Sequence, residues 1–71
     1  MEYFNVASST IQAIGYDSDA LTLAVSFVNG TEYHYYGVPP EVVERLKVSA
    51  SAGRFLNEEI KKAGYSYARV R

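Results

Sequence analysis

Tyr33, His34, Tyr35 and Tyr36 stand side by side, shortly after an Asn29-Gly30 pair. Four rings in a row can stack against bases, or they can form the underside of a small sheet. His34 is the sole histidine, and proton transfer would need an acid, base or nucleophile held beside it. A surface histidine is the expectation. Asp17 and Asp19 have the spacing of carboxylates in metal loops, but the glycine and the terminal glutamate of a calcium loop are missing, so a turn is expected and no metal. Ser8-Ser9 lacks a histidine partner nearby in sequence, and no glycine-rich phosphate loop is present. Cysteine is absent, which removes disulfides and thiolate chemistry. The chain is therefore expected to be neither an enzyme nor the holder of a cofactor.

Binding chemistry is better represented. The stretch SAGRFLN offers Ser51 as a helix cap, Gly53 where a ligand could approach the backbone, Arg54 for charge, and Asn57 one turn further on. With Lys61 and the hydroxyls of Tyr33 and Tyr35, these residues form a candidate anion site. A plainer alternative reads Ser51 as an ordinary cap, Gly53 as a close-packing residue and Arg54 as the i,i+4 partner of Glu58. Charge distribution favours an anionic partner. Residues 1–44 hold six acids and no Lys or Arg, whereas residues 45–71 hold all seven bases and two acids. Such asymmetry suggests an anionic ligand or acid-to-base self-association, unless folding interleaves the halves.

These side chains need elements to hold them. At 71 residues the chain is a single domain, near the lower limit for folding without disulfides or metal. Ser8–Tyr16 reads as a strand with an irregularity, because Ile11 and Ala13 alternate but Ile14 breaks the phase. Leu21, Leu23, Val25 and Phe27 alternate with Thr22, Ala24 and Ser26, giving the clearest strand. Asn29-Gly30 then turns the chain into a third strand, Thr31–Gly37.

The hairpin register decides the faces of the tyrosine row. A two-residue loop would pair Val25 with His34 and place Glu32 on the apolar face without a partner. A three-residue Val28-Asn29-Gly30 loop, with Gly30 in the left-handed region, pairs Phe27 with Thr31, Val25 with Tyr33, and Leu23 with Tyr35. The second register is preferred, since it places Tyr33 and Tyr35 inside and Glu32, His34 and Tyr36 outside. His34 and Tyr36, with Tyr16 near the end of the first strand, are then candidates for base stacking or for a contact between copies.

Pro39-Pro40 starts a helix whose stripe is Val42, Val43, Leu46 and Ala50, with Glu41 and Arg45 paired outside it. Ser51 caps a second helix, about Ala52 to Ala63, that ends at Gly64. Its inner stripe is Ala52, Phe55, Leu56, Ile60 and Ala63, while Arg54, Asn57 and Lys61 point away. The tail YSYARVR alternates as a short edge strand, bringing in Arg69 and Arg71. The predicted fold is α+β: a three-stranded antiparallel meander, two helices packed on one face, and a short C-terminal edge strand.

Three stretches in this order, VASSTIQAIGYD, FVNGTEYHYYGVP and SAGRFLNEEIKKAGY, resemble the KTSC domain. That short module is named for its occurrence at the C-terminus of some lysyl-tRNA synthetases, and it is also found as a stand-alone protein. The resemblance covers about residues 6–67. It implies a small α+β fold and, at most, a role in RNA binding; it brings no established chemistry. Arg69 and Arg71 lie beyond it.

The first expectation is a non-enzymatic binding module for RNA or a nucleotide-like anion, using the basic C-terminal half. A second is a homo-oligomeric protein of phage or bacterial origin that sequesters a nucleotide signal. A third is a protein–protein module in which the acidic hairpin of one copy meets the basic helix of another. The first residues carry an acid where a signal peptide is basic, and no apolar run is long enough to span a bilayer, so a cytoplasmic location is expected. The Asn29 NGT triplet is read as a turn.

Overall fold

The computed structural model describes residues 1–6 and 8–71. Ala7, inside the stretch that begins at Val6, lies outside the described residues. An antiparallel sheet runs in chain order through β1 (Glu2–Phe4), β2 (Ile11–Asp17), β3 (Thr22–Phe27), β4 (Glu32–Tyr36) and β5 (Ser66–Arg69). Between β4 and β5 come α1 (Pro40–Lys47) and α2 (Ala52–Phe55), the latter continuing into a π-helical segment, Leu56–Lys61. The class is α+β, as the periodicity predicts, but the sheet has five strands rather than a meander of three and an edge. The extra strand is β1, whose three residues are too few to show alternation. It pairs Phe4 with Ile14.

The irregularity in β2 is a register shift between Ile11 and Ala13. It lets Ile11 and Ile14, three residues apart, both face the core. The hairpin adopts the three-residue loop. Val25 lies opposite Tyr33 and Leu23 opposite Tyr35. The Phe27 N–H donates to the Thr31 carbonyl at 2.8 Å, and Gly30 sits at φ 94°, where a side chain would be strained.

The helices cover the inner sheet face. Ile11, Ile14, Leu23, Val25 and Tyr35 from the strands meet Val43 and Leu46 of α1 and Ala52, Leu56 and Ile60 of the second helix. Ala50, expected on the α1 stripe, is exposed because the helix ends at Lys47. Arg45 pairs with Glu59 across the helices at 3.0 Å, not with Glu41, and its guanidinium lies over the Phe55 ring.

Ser51 caps the second helix by accepting from the Arg54 N–H at 3.4 Å. The π-helical turn then changes which residues face inward. Such a turn bonds i to i+5, so it holds more residues than an α turn. Ala63, which α periodicity places inside, is exposed. Lys61, which α periodicity points away, stands five residues after buried Leu56 and turns toward the sheet.

Candidate functional site

The inner face of the sheet is not wholly covered. Beyond the C-terminal end of the second helix lies a cleft of about 300 Å³, lined by Phe27, Tyr33, Tyr35, Lys61, Tyr65 and Tyr67. Strand periodicity builds its walls. Tyr33 and Tyr35 are i,i+2 neighbours on β4, and β5 sets Tyr67 opposite Tyr35 and Arg69 opposite Tyr33 on the same face. The Tyr33 and Tyr35 rings lie near-parallel, at 28° with centroids 6.4 Å apart. Tyr67 tilts against both, at 5.7 Å from Tyr35 and 6.2 Å from Tyr33, and Phe27 meets Tyr33 edge-on.

The tyrosines differ in what they offer. Tyr35 is only 3% exposed, whereas Tyr67 is 65% exposed. Burial pushes the pKa of the Tyr35 phenol up, with Tyr33 and Tyr67 adding to the effect, so it is a neutral hydroxyl at physiological pH. Among the described residues, no protein group hydrogen-bonds the hydroxyls of Tyr33, Tyr35, Tyr65 or Tyr67. None of these unpartnered hydroxyls is buried. Lys61 adds a positive charge that no carboxylate neutralises among the described residues.

Sequence reasoning placed Tyr33 and Tyr35 on the inner face but expected them near the start of the second helix. The cleft instead lies at that helix's other end. Tyr65, Tyr67 and Phe27 were missed as cleft residues. The signal for Tyr67 was present: YSY repeats the Tyr-x-Tyr spacing of β4, as two strands that share a face require.

The residues at the start of the second helix do not join the cleft. Ser51 caps, and Arg54 reaches toward Glu58 at 3.9 Å, as in the plainer reading. A side chain on Gly53 would make ordinary contacts with Ser8 Oγ at 3.7 Å and Thr10 Oγ1 at 3.9 Å. Asn57 is exposed.

On the outer face, Glu32 binds three groups. It accepts from Ser26 Oγ at 2.9 Å, meets His34 Nε2 at 2.8 Å, and forms an ion pair with Arg71. These bonds, that of Arg71 first, then His34 and Ser26, hold its pKa down to about 2 against the opposing effect of burial. Arg71 is thus an anchor for the tail rather than a free cation. Tyr36 is exposed on this face, as expected. Tyr16 is not: β2 pairs it with core residue Leu23, and its hydroxyl donates to the Val38 carbonyl at 2.6 Å. It ties the β4–α1 connection to the sheet. Asp17 and Asp19 form a turn in which Asp17 Oδ1 accepts the N–H groups of Asp19 and Ala20. No group of metal-ligating side chains assembles among the described residues, and none of their helices is long and apolar enough to cross a membrane.

The KTSC domain family model matches residues 7–69. A protein of Stutzerimonas stutzeri is 39% identical over 70 residues, covering 99% of each chain. A lysine–tRNA ligase of Nostoc punctiforme is 38% identical over 53 residues, which is 75% of this chain and 9% of that enzyme. The crystal structure of a KTSC domain protein from Yersinia pestis superposes with a TM-score of 0.85 at 32% identity, over 99% of this chain and 97% of the other.

Proposed function

The chain belongs to the KTSC domain family, and from that premise we propose that it is a non-enzymatic cytoplasmic module that binds unpaired RNA nucleotides through the tyrosine cleft. The observation that carries this reading is the meeting of Tyr33, Tyr35, Tyr65 and Tyr67 with Lys61 around one cleft. Rings supply stacking surface that any base can use, and the lysine supplies attraction to the phosphate. A cluster of aromatic rings also suits a cationic ligand. Lys61 in the lining opposes that choice and favours an anion. The relative named as a lysine–tRNA ligase acts on an RNA and carries a similar segment, which adds weight to RNA over other anions.

Catalysis has less behind it. Ser26 Oγ bonds the Glu32 carboxylate rather than the His34 imidazole, and among the described residues no hydroxyl hydrogen-bonds the histidine.

Fluorescence anisotropy with a labelled single-stranded RNA tests the reading. Binding should weaken between about 50 and 200 mM salt, by roughly threefold for each phosphate neutralised. Tyr67→Ala should weaken binding about tenfold or more, since base–aromatic stacking contributes roughly 1–3 kcal/mol. Lys61→Ala should lower the salt slope by about one, whereas Arg54→Ala should leave binding unchanged. Absence of binding at low salt, or wild-type affinity in Tyr67→Ala, would refute the proposal.

A further inference from the structure

Resting on that reading, we infer that the recognised unit is one unpaired nucleotide, whose base enters the cleft and is read at its edge by the Tyr35 hydroxyl. A volume of about 300 Å³ lies at the small end of sites that enclose a single small ligand. A base within a duplex has its edge occupied by its partner and cannot enter. An extruded base can.

The cleft separates the two tasks of recognition. Tyr67, largely exposed at the mouth, offers a ring face that stacks on any base. Tyr35 offers no ring face, because the residue is almost wholly buried in the core cluster. What it contributes to the cleft is its hydroxyl, which has no protein partner among the described residues. Once a bound base covers it, such a hydroxyl donates one bond and accepts others, so it rewards a base edge that matches it and penalises one that leaves it unpaired. Lys61 contributes charge without regard to base identity. Stacking and charge thus supply affinity, and Tyr35 supplies preference.

The test titrates wild type and Tyr35→Phe with short A, C and U homopolymers and with a blunt RNA duplex. Wild type should rank the homopolymers and bind the duplex most weakly. Tyr35→Phe keeps the ring and should lose roughly tenfold on the preferred homopolymer, the scale of one net hydrogen bond, while its salt slope stays unchanged. In wild type, titration with the mononucleotides should shift the Tyr35 ring resonances most for the preferred base, which tests the contact without any substitution. An unranked wild type, an unaltered ranking in Tyr35→Phe, or a duplex bound as tightly as the best single strand would each overturn the inference. Those results would leave the stacking reading standing, provided Tyr67→Ala still weakens binding. Loss of all RNA binding in wild type would remove both.

Discussion

Substituting Glu32 by Gln removes a charge and almost no volume, and it strikes the point where the last strand is fastened. The Glu32 backbone exchanges bonds with the tail: its carbonyl accepts the Val70 N–H at 2.9 Å, and its N–H donates to the Arg71 carbonyl at 3.2 Å. Its carboxylate, 13% exposed, pairs with Arg71, His34 and Ser26. A fall in pKa from 4.5 to about 2 would correspond to a ceiling of about 3 kcal/mol in favour of the folded state. Water and salt screen the Arg71 side, because that guanidinium is well exposed, so about 1–2 kcal/mol is the expected stabilisation.

For a domain of this size that amounts to a fall in melting temperature of roughly 5–15 °C in Glu32→Gln at neutral pH. The sign of the pH dependence follows from the direction of the shift. A carboxylate whose folded pKa is depressed stabilises the fold above its unfolded pKa of 4.5, and that stabilisation is lost as pH falls toward about 2. The gap between wild type and variant should therefore be constant near neutrality, shrink below the unfolded pKa, and close in strong acid. Thermal melts followed by far-UV circular dichroism across that range measure it. Equal melting temperatures at neutral pH, or a gap that persists in strong acid, would refute the reasoning.

Two further substitutions probe positions whose roles the structure reassigns. Gly53→Ala should raise stability by about 0.5–1 kcal/mol, because the new methyl meets only ordinary contacts and helical backbone favours alanine; a lower melting temperature would show that Gly53 is needed for close packing. Tyr16→Phe should cost about 1–2 kcal/mol in denaturant unfolding, since the buried Val38 carbonyl loses its 2.6 Å hydroxyl donor, and an unchanged midpoint would count against that bond.

The parts of the fold legible in the sequence were those governed by strict local rules. Period-two alternation identified β3. The cost of an unpartnered Glu32 on the apolar face selected the three-residue hairpin loop, and with it the face of every residue in β4. The same rule was weaker for β1, where three residues cannot establish a period. It could not anticipate the π-helical turn either, because helical periodicity assumes a uniform turn. Lys61, exposed at the end of that segment, lines the cleft, and Ala63 lies in the turn beyond the helix, outside the core. Tyr16 failed for another reason: its strand contains the register shift, and counting alternation across a shift reverses the face of everything beyond it.

The division of charge between the two halves of the chain has a more specific meaning in three dimensions. Folding mixes part of it, since Glu32 takes Arg71 and Glu44 takes Lys47 across the divide. Glu58 and Glu59, the only acids of the basic half, are taken by Arg54 and Arg45. Among the described residues this leaves Lys61, Lys62 and Arg69 without a carboxylate partner. Lys61 lines the tyrosine cleft, and Arg69 shares the face and strand of Tyr67 with its Nε turned to the Arg71 carbonyl. Unpaired cations on a domain with a net charge of −1 would be unremarkable if they were scattered over the surface. Lys61 instead belongs to the lining of the tyrosine cleft, and Arg69 stands opposite Tyr33 in the register of β4 and β5, so the electrostatic signal in the sequence and the aromatic one meet on one face.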